Sequence, residues 1–235
     1  MKVDLYGSRS FLINILKVKA KLGLELNDAF TGTTIDSQMK KELPIDENRF
    51  ENFISNHEVL EIKTDFLKRF RKCHSFTKSN ILLVDLMHEG KLLIRYKDGT
   101  VAKRPVLNRY GYKWENGKEL TYDDKISRVE EYVDNFINYL SSYDLVIMNK
   151  ARIPKYKLDE NGKLILKDGI KDINFLNYYA ETFEDILLRK KKDIIIIPEY
   201  KRVDELQDDY LNAKEYRTFL TENLGRLLVD HTQYI

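Results

Sequence analysis

Ile81-Leu82-Leu83-Val84-Asp85-Leu86 holds five apolar residues and one aspartate, and decides the fold of this chain. Its first four positions carry no polar alternation, so neither face of a strand formed here can be meant for water. A strand apolar on both faces belongs in a sheet covered by helices on both sides, which makes the class α/β. Working outward, residues 2–6 read as a first strand, ending in Gly7-Ser8-Arg9-Ser10. Phe11, Leu12, Ile15, Leu16 and Val18 then follow helical spacing. Residues 145–148 and 193–197 read as further buried strands, the last stopped by Pro198. Each is preceded by a long amphipathic pattern. Ile126, Val129, Val133, Phe136, Ile137 and Leu140 line one helix, capped by Asp123 or Asp124, and Ile173 to Leu187 line another. Strand and helix in alternation predict a three-layer sandwich with a mostly parallel, flavodoxin-like central sheet.

The remaining segments are less regular. Residues 24–44 read as irregular, with Thr31-Gly32-Thr33-Thr34 as a loop closed by Pro44. A helix is expected from about Glu47, with Phe50, Phe53 and Ile54 on one face, and another over residues 65–72. Lys97-Asp98-Gly99 predicts a small β-hairpin excursion between residues 92–96 and 100–103, beside the main sheet. Residues 105–122 read as a polar loop, and Asn161-Gly162 as the turn of a second hairpin. A helix over residues 211–224 closes the chain, with Phe219 and Leu220 inward. No repeat and no linker divides the 235 residues, so a single domain over 1–235 is expected.

Composition narrows the function classes. Hydrophobic residues are 43% and charged residues 33%, enough apolar material for a core. The net charge of +2 makes no electrostatic case for nucleic acid or a membrane surface. No apolar run approaches the roughly 20 residues of a membrane span. Asp4 and Gly7 interrupt any signal-peptide core. The lone Cys73 excludes an internal disulfide and fits a reducing, cytoplasmic setting. There is no HExxH, no Cys/His cluster, no P-loop and no GxGxxG after the first strand, so no metal and no cofactor are expected. The run Arg189-Lys190-Lys191-Lys192 ends a helix and complements its dipole.

Ligands of open α/β sheets bind beyond the carboxyl ends of the strands. Here those ends are Gly7-Ser8-Arg9-Ser10, Asp85, Asn149-Lys150 and Glu199. Ser8 or Ser10 could act as a nucleophile near a helix N-terminus, where backbone N–H groups favour an oxyanion. The plainer reading makes Ser10 the cap of the helix from Phe11. A nucleophilic serine needs a base, and the histidines are His57, His74, His88 and His231. Asp85 and Glu89 could pair as acid and base, although an aspartate at a strand end more often fixes a loop. Asn149 could donate to an oxyanion or hold its own turn.

The order of these pieces resembles a bacterial SGNH-hydrolase-like family of unknown function associated with surface-polysaccharide gene clusters. The resemblance runs through Gly7-Ser8, the Ser/Thr-rich Phe30-Thr31-Gly32-Thr33-Thr34-Ile35-Asp36-Ser37, the strand end at Asp85-Leu86-Met87-His88-Glu89, and Met148-Asn149-Lys150-Ala151-Arg152. It implies an esterase or acyltransferase acting on a carbohydrate-linked ester, with Ser8 or Ser10 as nucleophile and Asn149 as oxyanion donor. Two departures follow. The family's Gly-Ser-Cys is Gly7-Ser8-Arg9 here, and its histidine before a tyrosine is replaced in Gln207-Asp208-Asp209-Tyr210. These favour a second expectation, a non-catalytic glycan- or phosphate-binding or scaffolding protein. Arg9, Asp85, Lys150 and Asp209 are then its substrate-binding candidates. A third, a sugar-nucleotide-using transferase, rests on fold class and on Asp85 and Glu89 as an acidic pair.

Overall fold

The computed structural model describes residues 1–52, 55–73, 79–104, 106–201 and 213–232. Strand β1 (Lys2–Gly7) turns directly into α1 (Arg9–Val18), and β2 (Glu25–Thr31) into the single turn α2 (Ile35–Gln38). A 3-10 turn (Glu47–Asn52), α3 (Asn56–Phe66) and α4 (Arg69–Cys73) lead to β3 (Ile81–Asp85). An excursion follows: β4 (Leu93–Arg95), β5 (Thr100–Ala102), α5 (Val106–Tyr110) and β6 (Lys118–Glu119). The chain returns through α6 (Tyr122–Ile126) and α7 (Val129–Leu140) to β7 (Leu145–Asn149). A hairpin of β8 (Tyr156–Leu158) and β9 (Leu164–Leu166), then α8 (Ile170–Lys190), β10 (Ile195–Ile197) and α9 (Lys214–Thr232) complete it.

The central sheet has the order β10-β7-β3-β1-β2 and every pair is parallel. The pleat sorts side chains between two cores. Val3, Leu5, Ile81, Leu83, Leu145 and Ile147 pack with α1 and with Tyr216, Leu220, Leu224 and Leu228 of α9. Tyr6, Leu82, Val84, Val146 and Met148 face the other way, onto α7, α8 and Phe70 of α4. The α/β three-layer sandwich expected from the sequence is therefore present. The order doubles back between β1 and β3, so the crevice beyond their carboxyl ends is the topological switch point. The excursion forms its own three-stranded antiparallel sheet, β5-β4-β6, over a third core of Ile62, Phe66, Ile94, Val101, Val106, Leu107 and Tyr110.

Several expectations need correction. Residues 24–44 contain the edge strand β2, whose Cα partners run from Lys2–Glu25 to Gly7–Thr31. Glu25-Leu26-Asn27-Asp28 is the partly exposed half of that strand, so no apolar run announces it. Its polar groups have specific tasks: Asn27 donates to Asp4 at 2.8 Å, and Asp28 takes both oxygens to Arg69. Residues 105–122 hold α5, β6 and a 3-10 turn, because Val106, Leu107 and Tyr110 are buried in the third core. The helix expected over 65–72 is two helices, broken at Lys68, whose φ is +52°. The one expected near Glu47 is a 3-10 turn, and Phe53 and Ile54 lie outside the described residues. The helix before β7 is two helices, and Thr121 caps the first in a reciprocal box with Asp124. The closing helix runs over Lys214–Thr232, past the expected end at 224, while residues 211 and 212 lie outside the described residues.

Candidate functional site

Ser8, not Ser10, caps α1. Its hydroxyl accepts from Phe11 N at 3.1 Å and donates to Asp85 Oδ2 at 2.6 Å. The other oxygen of Asp85 accepts from Met87 N at 2.7 Å. Ser8 is 0% and Asp85 2% exposed. This corner closes because position 7 is glycine: a Cβ there would lie 2.7 Å from the Asp85 carbonyl oxygen. Burial pushes the Asp85 carboxyl up to about 6, against the two hydrogen bonds that favour its charged form. Ser10 is half-buried, and its carbonyl accepts from Asn14 Nδ2 at 2.8 Å.

Asn149 reaches the same end of the sheet, paired with Asp85 in register. Its Nδ2 donates to Tyr216 Oη at 2.9 Å, so the amide ties β7 to α9 instead of facing an oxyanion. Burial, with Asp85 adding to it, raises the Tyr216 phenol above its ordinary range. Lys150 and Arg152 both address the fully buried Glu184, Arg152 by two bonds of 2.8 and 2.6 Å and Lys150 at 3.8 Å. Lys150 thus belongs to an ion-pair cluster on α8. Arg9 is exposed. Asp209 and His74 lie outside the described residues.

The described histidines do not serve Ser8. His57 meets Glu61 at 3.2 Å. His231 lines a cavity with Asp144, Leu145, Asp193 and Ile194, at the amino ends of β7 and β10 and so at the opposite edge of the sheet. The ring of His88 makes no hydrogen bond among the described residues.

Another corner, beyond β2 and β3, gathers polar groups among which the sequence singles out Glu89. Glu89, 3% exposed, accepts from the Tyr6 hydroxyl and from Ile35 N at 3.0 Å. Burial pushes it up to about 7, against the pull of the Lys125 ammonium. Lys125 meets Asp36 at 2.6 Å with both residues at most 3% exposed, and its ammonium lies 4.9 Å from the Tyr179 ring centre. Thr34 and Ser37 N complete the Asp36 shell. Asp65 accepts from Thr33 at 2.7 Å, Ser37 at 2.5 Å and Ala102 N at 2.8 Å. Lys68, fully buried, donates to Ser37 and to the Thr100 carbonyl. Arg104 meets Glu61 at 3.2 Å over Gly32, where a Cβ would sit 2.2 Å from the guanidinium. The sequence signal for Thr33, Thr34, Asp36 and Ser37 is the polar run Thr31-Gly32-Thr33-Thr34-Ile35-Asp36-Ser37, whereas Asp65, Lys68, Arg104 and Lys125 carry no local signal.

Fold and site together define a doubly wound α/β protein with a closed corner at its switch point and a buried network of charged side chains beside it. No family model matches the chain, and no curated protein matches it. Among the described residues, no group of three His, Cys, Asp or Glu side chains could hold a metal, and no helix is long and apolar enough to cross a membrane.

Proposed function

We propose that this chain is a binding protein for a carbohydrate-linked small molecule carrying negative charge, held in the crevice beyond the carboxyl ends of β1, β2 and β3. The cytoplasm is the setting its single cysteine suits. One observation carries the reading. The Ser8 hydroxyl is shut away from solvent and engaged both as donor, to Asp85, and as acceptor, from Phe11 N, with no hydrogen bond to a described histidine. A serine in that state is a helix cap and a tie to Asp85, and lacks the base and the access that nucleophilic attack requires. The crevice keeps its recognition chemistry in the polar groups beyond β2 and β3. Such perturbed, buried ionisable groups cluster at functional sites more often than elsewhere.

One observation favours an ester hydrolase as the alternative reading: Ser8 donates at 2.6 Å to a carboxylate whose proton affinity is raised. Ser8→Ala separates the two. Under the binding reading the variant loses about 1–2 kcal/mol of stability with its cap and still binds hexose 1-phosphates in calorimetry. Release of acetate from acetylated sugars by the wild type, abolished in Ser8→Ala, would overturn the binding reading in favour of the hydrolase.

A further inference from the structure

Nine large apolar side chains stand exposed among the described residues, and four of them lie on the hairpin of β8 and β9. Leu158 is 55%, Leu164 51%, Ile165 37% and Leu166 54% exposed. None of the four joins any of the three cores. Their arrangement follows from the strand register. Tyr156 stands opposite Leu166 and Leu158 opposite Leu164, with Lys157 opposite Ile165 between them. Directly opposed residues share a face of an antiparallel pair, and the faces alternate along each strand. Tyr156, Leu158, Leu164 and Leu166 therefore make one continuous apolar face, and Lys157 and Ile165 the other.

The hairpin is well formed in its backbone. Lys167 N donates to the Lys155 carbonyl at 3.0 Å at the foot, and Asp159 N to the Lys163 carbonyl at 2.8 Å at the tip. Among the described residues the two strands pair only with each other. A two-stranded ribbon is marginally stable in water by itself, and an apolar face left in solvent weakens it further. A connection that did no more than join β7 to α8 would be polar throughout, as the tip Asp159-Glu160-Asn161 is. An exposed apolar patch on a regular element, rimmed by charges, marks a surface that something outside the chain covers.

The rim charges say what covers it. The tip carries Asp159 and Glu160 against Lys163. The foot carries Lys155 and Lys167, and its Asp168 lies 3.6 Å from Lys157. The hairpin is thus acidic at one end and basic at the other. A second copy of the same hairpin matches both the face and the charges. A two-fold axis in the plane of contact and across the strands lays apolar face on apolar face, and sets the acidic tip of each copy over the basic foot of the other. An axis along the strands would set acid on acid and base on base, so the charges select the first arrangement.

We propose that this chain pairs with a second copy of itself through the face of Tyr156, Leu158, Leu164 and Leu166, as a two-fold dimer with tip over foot. Each copy contributes two strands of three residues, against the roughly 20–30 residues a side of a standard interface. The dimer is accordingly weak, with dissociation in the micromolar range.

Sedimentation velocity of the whole chain from about 1 to about 100 µM tests it, because association follows concentration. The wild type is expected to pass from monomer to dimer over that range. Leu158→Glu with Leu164→Glu should stay monomeric throughout and keep the wild-type circular dichroism, since neither side chain belongs to a core. Glu160→Lys should weaken the dimer about tenfold, Lys155→Glu should do the same, and the two together should restore most of the loss. These reversals lie on the rim, so they test the pairing even if the double glutamate variant fails to fold. A wild type that is monomeric at every concentration overturns the proposal, and its co-sedimentation with phosphatidylglycerol vesicles would then give the face to a lipid surface. A dimer that survives the double glutamate substitution overturns the interface. Charge reversals that weaken the dimer singly and are not rescued as a pair overturn the tip-over-foot arrangement.

Discussion

Two corners at the carboxyl end of one sheet have been built in opposite ways. At the corner between β1 and β3, Ser8, Asp85 and the turn backbone satisfy one another and shut solvent out. At the corner beyond β2 and β3, Tyr6 with Glu89, Asp36 with Lys125, Asp65 with Lys68 and Glu61 with Arg104 form buried pairs. The Ser8 corner has a catalytic pattern in sequence and a structural role in space. The corner beyond β2 and β3 offers Glu89 and His88 as candidates in sequence and, in space, a network of paired acids and bases. Strand-end position locates a crevice, but the way its polar groups are partnered decides which part of it can receive a ligand.

The largest expected effect tests whether the corner beyond β2 and β3 is a stabilising network as well as a site. Lys125→Met keeps most of the stem and removes the ammonium that faces Asp36 at 2.6 Å. Asp36 is then a buried carboxylate with only Thr34 and the Ser37 amide to hold it. Breaking one side of such a pair costs roughly 3–5 kcal/mol, while replacing both sides can be close to neutral. Urea unfolding should show that loss for Lys125→Met and recovery of at least half of it in Lys125→Met with Asp36→Asn. A loss below about 1 kcal/mol would place the pair with ordinary surface ion pairs, against the contrast drawn between the corners.

A smaller effect separates the acids from the base. Asp85 and Glu89 have folded pKa values raised above their unfolded ones, to about 6 and about 7. Their contribution to stability is full below pH 4 and is lost as pH rises through 6 to 7. Lys91 is lowered to about 7, so its contribution is full above its unfolded value of 10.5 and is lost as pH falls toward 7. These three groups together place a minimum of stability near pH 7, with a rise on either side. Each limb is expected to be about 1–2 kcal/mol over the range pH 5.5–9, less than the 1.36 kcal/mol per unit ceiling because Lys91 is half-buried. Thermal unfolding across that range checks it, at about 2–4 °C per kcal/mol for a chain of this size. Glu89→Gln should flatten the acid limb and Lys91→Met the alkaline one. A single smooth maximum at pH 7 in the wild type would contradict both assignments.

How much of this was legible follows from how local each feature is. β3 and β7 could be read because four consecutive apolar residues on a doubly covered strand leave no other solution. The hairpin of β8 and β9 could be read because Asn161-Gly162 supplies the turn, and Gly162 does take φ +76°. The Ser8 cap needs only a partner three residues on, yet the sequence points to Ser10 as the cap of a helix from Phe11, and the backbone overturns that by starting the helix at Arg9. Edge strand β2 was hidden because half of it meets water. The corner beyond β2 and β3 was hidden more deeply: Lys125 meets Asp36 across 89 positions, and Asp65 meets Ala102 across 37. No periodicity encodes such a meeting, which exists only once the excursion has folded back onto the sheet.

The smallest expected effect is the sharpest guide to where the ligand sits. Arg9 is exposed at the first position of α1, a positive charge at the positive end of a helix dipole. Its removal should therefore change stability by no more than about 0.5 kcal/mol, and toward greater stability. The side chain stands beside the closed corner, where Ser8 and Asp85 leave no unsatisfied group for a ligand to meet. Arg9→Ala should accordingly leave hexose 1-phosphate affinity within about twofold of wild type, a difference of roughly 0.4 kcal/mol. A tenfold loss in Arg9→Ala would move the charged end of the ligand across the crest of the sheet, to the corner with the catalytic pattern in its sequence, and would reverse the assignment of the two corners.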